Sequence, residues 1–246
     1  LGKVMMREAS HLDIVLVDVA SADIAKNPAE LAHRLMAEEP QHPTREDVPV
    51  DICITFNQRL VKTYAPVTIS APQRSPYRHG GVYVIFGGMG GLGAALARRL
   101  ASEQKAKIVL SGRSARGPAQ IEFCAELESL GGEAVYIAAD CANKAEVERV
   151  RVAALALEGK VDGVFHAAFV MDDSAFTRMA DAQLRAALSP KLDGTEVVIE
   201  AFTTLKPDFI ALFSSTNSTT ANAGQANYVA ASMAQDAAAH HFSGNI

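Results

Sequence analysis

Residues 80–99 read GGVYVIFGGMGGLGAALARR, and this stretch decides the fold of the chain. The apolar run 82–86 predicts a buried strand, five glycines follow between positions 87 and 93, and the alanine-rich segment after them predicts a helix. Glycine suits such a junction because the turn is tight, the backbone approaches a pyrophosphate closely, and the helix packs against the sheet. The N–H groups and the dipole at the start of the helix favour phosphate. The stretch therefore predicts a dinucleotide site, whereas glycines outside this context would indicate only a tight turn.

The composition is that of an ordinary soluble globular protein, with 246 residues, 49% hydrophobic, 21% charged and a net charge of −5. No block of lysine and arginine is present, so we expect no nucleic-acid partner. The run 80–97 lacks charge over 18 residues, which is the length of a membrane span. Seven of these residues are glycine and two arginines follow, so we expect no membrane association.

The three cysteines, Cys53, Cys124 and Cys141, are odd in number and widely spaced. This pattern lacks the spacing of a metal site and fits a reducing compartment, so we expect a cytoplasmic protein without a metal. The first residues contain no apolar run of the signal-peptide type. Because the chain begins at Leu1 rather than at methionine, we expect it to be part of a longer protein.

Strands and helices alternate from residue 81 onward. Besides the opening unit, the predicted strands and helices are Lys107–Leu110, Pro118–Leu130, Ala134–Ala138, Lys144–Leu157, Val161–His166, a long helical region between Phe176 and Thr203, Phe209–Phe213 and Ala226–His241. Short apolar strands between helices indicate a parallel sheet covered on both faces. We therefore predict an α/β fold with a doubly wound parallel sheet of the Rossmann type, which binds ligands at the carboxyl ends of its strands. Such a domain usually continues, so we expect further substrate-side structure beyond Ile246.

Residues 1–79 form a different kind of segment. Its predicted elements are a strand His11–Ala20, a helix Pro28–Glu38, a proline-rich loop Glu39–Val50, and two strands, Asp51–Phe56 and Arg59–Ala65, joined as a hairpin at Asn57-Gln58. The stretch Ser70–Gly81 is rich in proline and glycine, so we divide the chain into domains 1–79 and 80–246 there. The first domain carries no group of residues that suggests chemistry, and we interpret it as scaffold.

The second strand of the predicted sheet ends at Ser111-Gly112-Arg113-Ser114, about 20 residues after the last glycine of the loop. An acidic residue at this point would bind the ribose 2′-hydroxyl of NAD, whereas an arginine accommodates the 2′-phosphate of NADP. Arg113 thus predicts NADPH as the cofactor, with Ser111, Ser114 and Arg116 assisting. The alternative is an ordinary solvated arginine in a loop.

The fifth strand ends at Phe213-Ser214-Ser215, and Tyr228 follows shortly after it. A serine hydroxyl and a phenol at the mouth of such a sheet suit carbonyl reduction, in which the serine orients the carbonyl oxygen and the tyrosine protonates it. A phenol is a poor acid at neutral pH unless a cation is near, so this chemistry requires a lysine. The helix after Tyr228 contains none, and Lys191, which follows Ser189-Pro190, is the best-placed candidate.

The chain resembles the ketoreductase domains of modular polyketide synthases, which belong to the short-chain dehydrogenase/reductases. The motifs that carry the resemblance are GGMGGLG (87–93), LSGRS (110–114), AADC (138–141), FHAAFVMDD (165–173), SPKLDG (189–194), FSS (213–215) and GQANY (224–228). The resemblance covers nearly the whole chain. It implies that residues 1–79 are the last part of the family's structural subdomain, a degenerate Rossmann unit without a cofactor site.

The resemblance also implies roles for individual residues. Tyr228 would be the proton donor, Ser215 the hydroxyl that orients the carbonyl, and Lys191 the cation that acts on the tyrosine and the nicotinamide ribose. The cofactor-binding residues would be Gly87, Gly88, Met89, Gly90, Gly91, Leu92, Gly93, Ser111, Gly112, Arg113, Ser114, Asp140, Cys141, Ala167, Ala168, Lys191 and Tyr228. The substrate would be a β-ketoacyl thioester on the phosphopantetheine arm of an acyl carrier protein, with neighbouring synthase domains as further partners.

Met171-Asp172-Asp173 resembles the Leu-Asp-Asp signature of B-type ketoreductases, which set a D-configured β-hydroxyl group. The rival A-type is marked by a tryptophan, and the chain has none. This similarity implies that Asp173 takes part in stereocontrol. Without the resemblance, the two aspartates would be interpreted as a solvated loop.

Three positions depart from the family. Ser232 occupies the position of an asparagine that belongs to the family's catalytic tetrad, Met89 replaces a threonine, and Phe169 stands where glycine is common. Loss of the asparagine is typical of ketoreductase-like domains that bind cofactor without reducing, some of which epimerise α-substituents. A redox-inactive or epimerising module therefore remains an alternative, as does a free-standing reductase of small ketones or thioesters. Serine can still form hydrogen bonds, although it is shorter.

His166 and Cys141 also admit functional interpretations. His166 ends an apolar strand, which favours a structural, hydrogen-bonded histidine over a catalytic one. Cys141 lacks a histidine nearby in the sequence, which favours a small apolar contact over a nucleophile.

Overall fold

A computed structural model of the chain describes residues 1–9, 11–12, 14–38, 51–55, 58–70 and 75–243. The strands are β1 Val17–Val19, β2 Ile52–Ile54, β3 Arg59–Val61, β4 Val82–Phe86, β5 Lys107–Gly112, β6 Glu133–Ala138, β7 Gly163–His166 and β8 Phe209–Leu212. The helices are α1 Gly2–Glu8, α2 Ser21–Lys26, α3 Pro28–Met36, α4 Gly91–Gln104, α5 Pro118–Ser129, α6 Lys144–Glu158, α7 Asp181–Lys191, α8 Asp193–Thr203, α9 Asn217–Thr220 and α10 Ala226–Ser243, with a 3-10 turn at Phe176–Arg178. None of the helices in these ranges is both long and apolar enough to cross a bilayer.

The larger sheet has five parallel strands in the order β6-β5-β4-β7-β8. The chain adds β5 and β6 on one side of β4 and then crosses over to add β7 and β8 on the other side. A crevice forms at the carboxyl ends of the strands where the order reverses, next to β4 and β7. The predicted doubly wound α/β sheet is confirmed, and all five of its predicted strands are present.

Two apolar clusters cover the two faces of this sheet. Alternate residues of β4 point to opposite faces, so Val82 and Val84 pack with α6 and α8 while Tyr83 and Ile85 pack with α4 and α5. Every residue of β4 is buried. Because helices cover both faces of the sheet, the strands are apolar throughout rather than alternating. Full burial of one apolar side chain contributes about 1.5–3 kcal/mol to the stability of the fold.

The smaller sheet pairs β1 with β2 in parallel and β2 with β3 antiparallel. The predicted strand His11–Ala20 is too long, because only Val17–Val19 align with β2 and helix α2 begins at Ser21. The two hairpin strands pair antiparallel as expected, but each spans only three residues. β2 is mostly buried, whereas β3 is exposed. Helix α3 forms where it was predicted. Phe56 of the predicted strand, Asn57 of the predicted Asn57-Gln58 turn, the loop Glu39–Val50 and residues 71–74 of the proposed boundary lie outside the described residues.

The predicted helical region between Phe176 and Thr203 is divided into a 3-10 turn, α7 and α8. Pro190 lies in the last turn of α7 and has no N–H to continue the helical hydrogen bonds, and α7 ends at the next residue. The Pro190 carbonyl is 2.8 Å from Nε2 of the buried His166 at the end of β7. This contact fixes the α7–α8 junction, and with it Lys191, at the carboxyl edge of the sheet.

Helix α1 packs against the last helix of the chain. Val4 shares a buried cluster with Ala226 and Val229 of α10. The Glu8 carboxylate accepts hydrogen bonds from the backbone N–H of Phe176 at 2.6 Å and of Gly224 at 2.7 Å. The N-terminal segment therefore supports two loops of the region that carries the site.

Candidate active site

The glycine loop joins β4 to α4 and lies against the segment that follows β7. Gly87 has a left-handed φ of +79°, and a Cβ at this position would lie 2.7 Å from the carbonyl carbon and oxygen of Ala167. The N–H groups of Gly87 and Gly88 both donate to the Ser111 carbonyl, at 2.8 and 3.2 Å. Only glycine fits at position 87, because both the conformation and the neighbouring backbone exclude a side chain.

The first turn of α4 leaves open space beside its backbone. A Cβ on Gly91 would have no atom within 4 Å, whereas one on Gly93 would collide with the Gly87 carbonyl. The N–H groups of this turn have no partner within the helix and carry the positive end of its dipole. Met89 packs partly into the cluster under the sheet, and Leu92 is 66% exposed. The backbone of this turn therefore offers donors to an anion, and the methionine does not block them.

A cleft of about 570 Å³ opens beside this loop at the carboxyl edge of the sheet. It is lined by ten of the predicted cofactor-binding residues: Gly87, Gly90, Ser111, Gly112, Arg113, Ser114, Asp140, Cys141, Ala167 and Ala168. Arg185 and Ala186 also line the cleft and were not identified from the sequence, whereas Val170 and Ser189 appeared only within the quoted motifs. Ala167 and Ala168 present backbone and small side chains, which leaves room for a planar or extended ligand.

Arg113 is exposed at the mouth of the cleft, on the loop that follows β5. The Tyr136 hydroxyl lies 2.9 Å from the Gly112 carbonyl and 2.7 Å from the Ser114 carbonyl. Tyr136 therefore anchors the backbone of this loop on both sides of Arg113. Ser111 is fully buried, and its Oγ has no hydrogen-bond partner in the described part of the chain. An exposed cation and a buried hydroxyl of this kind at one edge fit an anionic ligand.

Asp140 and Cys141 form the adjacent wall. Asp140 Oδ1 accepts a hydrogen bond from the Ala142 N–H at 2.9 Å, which fixes the turn after β6. Cys141 is buried, and a Cβ on Gly194 would lie 2.8 Å from its Sγ. Burial raises the pKa of the Cys141 thiol to about 12, so it stays protonated at neutral pH. These features support a packing role for Cys141.

Lys191 is buried, with 2% of its surface exposed. Its Nζ donates to the Phe213 carbonyl at 2.6 Å and to Gln235 Oε1 at 2.9 Å. Burial lowers the pKa of the ammonium to about 8, and the negative charge of Asp236 acts in the opposite direction. Nζ lies 5.5 Å from the centroid of the Tyr228 ring. The structure thus brings together the predicted lysine and tyrosine, although α8, β8 and α9 separate them along the chain.

Tyr228 lies in the first turn of α10, next to the cleft. The ring of Phe169, which lines the cleft, meets the Tyr228 ring edge-on with centroids 6.1 Å apart. Tyr228, Ser215 and Lys191 do not themselves line the cleft; Phe169 and Pro190 line it and adjoin the tyrosine and the lysine. Phe169 therefore occupies the space between the two halves of the candidate site.

A chain of hydrogen bonds runs from Ser215 to Asp173. Ser215 Oγ accepts from the Asn217 N–H at 3.2 Å, the Asn217 side chain donates to Gln225 Oε1, and Gln225 Nε2 donates to Asp173 Oδ2 at 2.7 Å. Both Asp173 and Ser215 are thereby tied to the loop that precedes Tyr228. The sequence did not point to Asn217, and Gln225 appeared only as a letter of the GQANY motif.

The buried polar residues around Lys191 differ in how well they are satisfied. Ser232 is fully buried and its Oγ has no partner among the described residues, while Gln235 is 1% exposed and contacts Lys191. Burial lowers the pKa of His166 to about 4, so its ring is neutral and holds the Pro190 carbonyl. This supports a structural role for the histidine. Gln235 was not identified from the sequence, where its only signal is its place one helical turn after Ser232.

Comparisons with known proteins agree with this geometry. The sequence profile of the KR domain family matches residues 81–245. The polyketide synthase ThaG of Burkholderia thailandensis is 38% identical over 180 residues, which is 73% of this chain and 3% of that protein. A ketoreductase domain from the bacillaene assembly line has a TM-score of 0.82 at 26% identity, over 99% of this chain and 56% of that chain. A structure of A-type ketoreductases from a modular polyketide synthase has a TM-score of 0.79 at 29% identity, over 99% of this chain and 50% of that one.

The chain thus spans about half the length of these solved chains and a small part of the curated relative. The family profile covers residues 81–245, and every residue of the candidate site lies within that range. The chain therefore belongs to the ketoreductase (KR) domain family of polyketide synthases, oxidoreductases of the short-chain dehydrogenase/reductase superfamily.

Proposed function

We propose that this chain uses NADPH to reduce a β-ketoacyl thioester, carried by an acyl carrier protein, to the β-hydroxyacyl thioester. The observation that carries the proposal is the Lys191 ammonium, which is buried 5.5 Å from the centroid of the Tyr228 ring and follows Pro190, a residue that lines the cleft. Burial disfavours the charged form of a lysine. A charged lysine beside the Tyr228 phenol is nevertheless what the transfer of a proton from the phenol to a carbonyl oxygen requires.

The residues of the cleft fit a nicotinamide dinucleotide. The open space beside Gly91 and the donors of the first turn of α4 suit the pyrophosphate. Arg113 and the buried hydroxyl of Ser111 suit the 2′-phosphate of NADPH, and Asp140 and Cys141 form the wall for the adenine. Ala167 and Ala168 would lie along the rest of the cofactor. When bound, NADPH supplies the hydride for the β-carbon and leaves as NADP⁺.

The side chains beyond the cleft handle the carbonyl oxygen. As the carbonyl π-bond breaks, its oxygen takes the proton of the Tyr228 hydroxyl, and the tyrosine regains a proton from solvent. The Lys191 ammonium stabilises the negative charge that forms on Tyr228. Ser215 holds the substrate oxygen in the orientation that receives the proton. Each residue therefore acts on the reacting group or on the proton donor.

Asp173 supports the assignment to the B-type, which sets a D-configured alcohol. Its carboxylate accepts a hydrogen bond from Gln225, which lies in the loop before Tyr228. Because the fold also matches A-type ketoreductases, the configuration of the product is the decisive measurement. We expect the D-β-hydroxy product from the wild type and loss of stereocontrol in Asp173→Ala.

The partners follow from the family. The relatives are polyketide synthases of which this chain matches a small part, which supports neighbouring synthase domains and a carrier-bound substrate. Residues 1–79 act as the bracing subdomain and 80–246 as the catalytic one. The Glu8 carboxylate, which holds the loops at Phe176 and Gly224, supports this division of labour.

The test is the loss of NADPH absorbance with a β-ketoacyl N-acetylcysteamine thioester. Tyr228→Phe should retain NADPH binding and lose turnover. Tyr77→Phe is the matched control, because Tyr77 lies in the aromatic cluster with Tyr83 and Phe209, away from the cleft, and it should turn over normally. Equal turnover in Tyr228→Phe and the wild type would refute the proposed mechanism. NADPH binding without reduction in the wild type would favour the epimerising alternative.

A further inference from the structure

The Lys191 ammonium depends on a side chain that the sequence motifs do not identify. Among the described residues, Lys191 donates to two acceptors, the Phe213 carbonyl and Gln235 Oε1. The Phe213 carbonyl belongs to the backbone after β8, and any residue at that position could provide it. The second acceptor is a side chain and is therefore specific to this sequence.

Ser232 does not perform this task, although it occupies the position of the family's asparagine. Its Oγ is fully buried and has no hydrogen-bond partner within the described ranges. Its backbone carbonyl accepts from Ser214 Oγ at 3.3 Å, so the contact of residue 232 with the site is made by its main chain. The Ser232 hydroxyl therefore forms no hydrogen bond with Lys191, and a different side chain supplies the acceptor.

Gln235 lies one turn further along α10 and is held in one orientation. Its Nε2 donates to Thr195 Oγ1 of α8 at 3.2 Å, which directs Oε1 towards Lys191 at 2.9 Å. Thr195 is fully buried and Gln235 is 1% exposed, so water does not compete for these bonds. Because the ammonium can only donate, it takes Oε1, and the threonine hydroxyl holds the Nε2 end of the amide.

We propose that Gln235, held by Thr195, positions the Lys191 ammonium in this chain. The effect on reduction rests on the proposed function, since it acts through Lys191 on Tyr228. The contact itself stands on the geometry of buried residues from α7, α8 and α10.

The charges around Lys191 set the expected titration behaviour. The groups that face it are Asp236 on α10, His166 at the end of β7, and the Tyr228 phenol. Gln235 adds an uncharged acceptor, which favours the protonated form of the lysine. Removing it should lower the pKa of Lys191 below its present value of about 8.

The experiment compares Gln235→Leu with Ser232→Ala in the full chain, with Thr195→Val and Thr195→Ser as a second pair. We expect Gln235→Leu to lower kcat about 10- to 100-fold, the usual effect of losing a hydrogen bond to a charged group, with KM little changed. Thr195→Val should reproduce part of this loss, while Thr195→Ser and Ser232→Ala should stay within about twofold of the wild type. The double variant Ser232→Asn with Gln235→Leu should recover activity, because it returns an amide acceptor to the α10 face.

The readout that does not need turnover is the ¹³Cε NMR titration of lysine-labelled protein, with Lys191→Arg to assign the resonance. The titration of Lys191 should move to lower pH in Gln235→Leu and to higher pH in Gln235→Glu, and it should not move in Ser232→Ala. An unmoved titration in Gln235→Leu, or an equal shift in Ser232→Ala, would overturn the proposal. If the wild type fails to reduce any thioester, the proposed function fails while this titration still decides the role of Gln235.

Discussion

Replacing Gly87 with alanine tests the claim that local geometry, and not only cofactor chemistry, requires the glycine loop. The left-handed φ of +79° costs an alanine about 1–2 kcal/mol, of which about 0.4–1 kcal/mol is offset by the lower entropy of the unfolded chain. The new Cβ would also lie 2.7 Å from the Ala167 carbonyl, and overpacking of this kind costs about 1–3 kcal/mol. We therefore expect Gly87→Ala to lower the free energy of unfolding by about 1–5 kcal/mol.

Two glycines of the same region serve as matched controls. Gly80 has a similar φ of +67°, but a Cβ added there would have no atom within 4 Å, so Gly80→Ala should cost about 1 kcal/mol. Gly91 has open space and no left-handed φ, so Gly91→Ala should leave stability unchanged or slightly raised. Its added methyl group should nevertheless weaken NADPH binding, because it occupies the space assigned to the pyrophosphate.

Urea unfolding measures the stability of each variant, and the midpoints are compared only if the m-value is the same in all variants. Titration followed by fluorescence measures the affinity for NADPH. Equal unfolding midpoints for Gly87→Ala and Gly80→Ala would refute the steric argument. Unchanged NADPH affinity in Gly91→Ala would refute the placement of the pyrophosphate.

Three further predictions concern the cofactor, the lysine and the cysteine. Arg113→Asp should weaken NADPH binding about 10- to 100-fold and favour NADH, and an unchanged preference between the two cofactors in a fluorescence titration would contradict the role of Arg113. Because burial lowers the pKa of Lys191 to about 8, the ammonium is lost as the pH rises through that value, so kcat should fall on the alkaline side; a pH–rate profile flat well above pH 8 would speak against the lysine. Because burial raises the pKa of the Cys141 thiol to about 12, iodoacetamide should alkylate the half-buried Cys53 before Cys141, and peptide mass spectrometry showing the reverse order would count against a packing role.

The larger sheet could be predicted from the sequence because its signals are local. Each strand is a short apolar run, and Gly87 and Gly93, which follow β4, are required by contacts within the same βα unit and with the end of the adjacent strand. The N-terminal elements are harder to predict. Helix α1 is stabilised by burying Val4 against α10, a contact with residues more than two hundred positions away, and no local pattern reports it.

The residues of the candidate site also differ in whether the sequence alone could identify them. Lys191 could be selected because the helix after Tyr228 lacks a lysine, and Pro190 explains how the chain turns to deliver it. Gln235 could not be selected, because its role depends on how α7, α8 and α10 pack together and on the Ser232 hydroxyl having no partner among the described residues. Long-range packing, and not residue type, makes it part of the site.

The central claim is that this chain transfers hydride to a β-carbonyl, and deuterium tracing tests it most directly. The domain would be incubated with NADPH dideuterated at the nicotinamide C4 and a β-ketoacyl chain on an acyl carrier protein, and the released acyl chain analysed by mass spectrometry. The account predicts a β-hydroxy product with one deuterium on the β-carbon, formed by the wild type and absent in Tyr228→Phe. Recovery of the unreduced β-keto chain from the wild type, with only its α-hydrogen exchanged in a parallel reaction in D₂O, would contradict it.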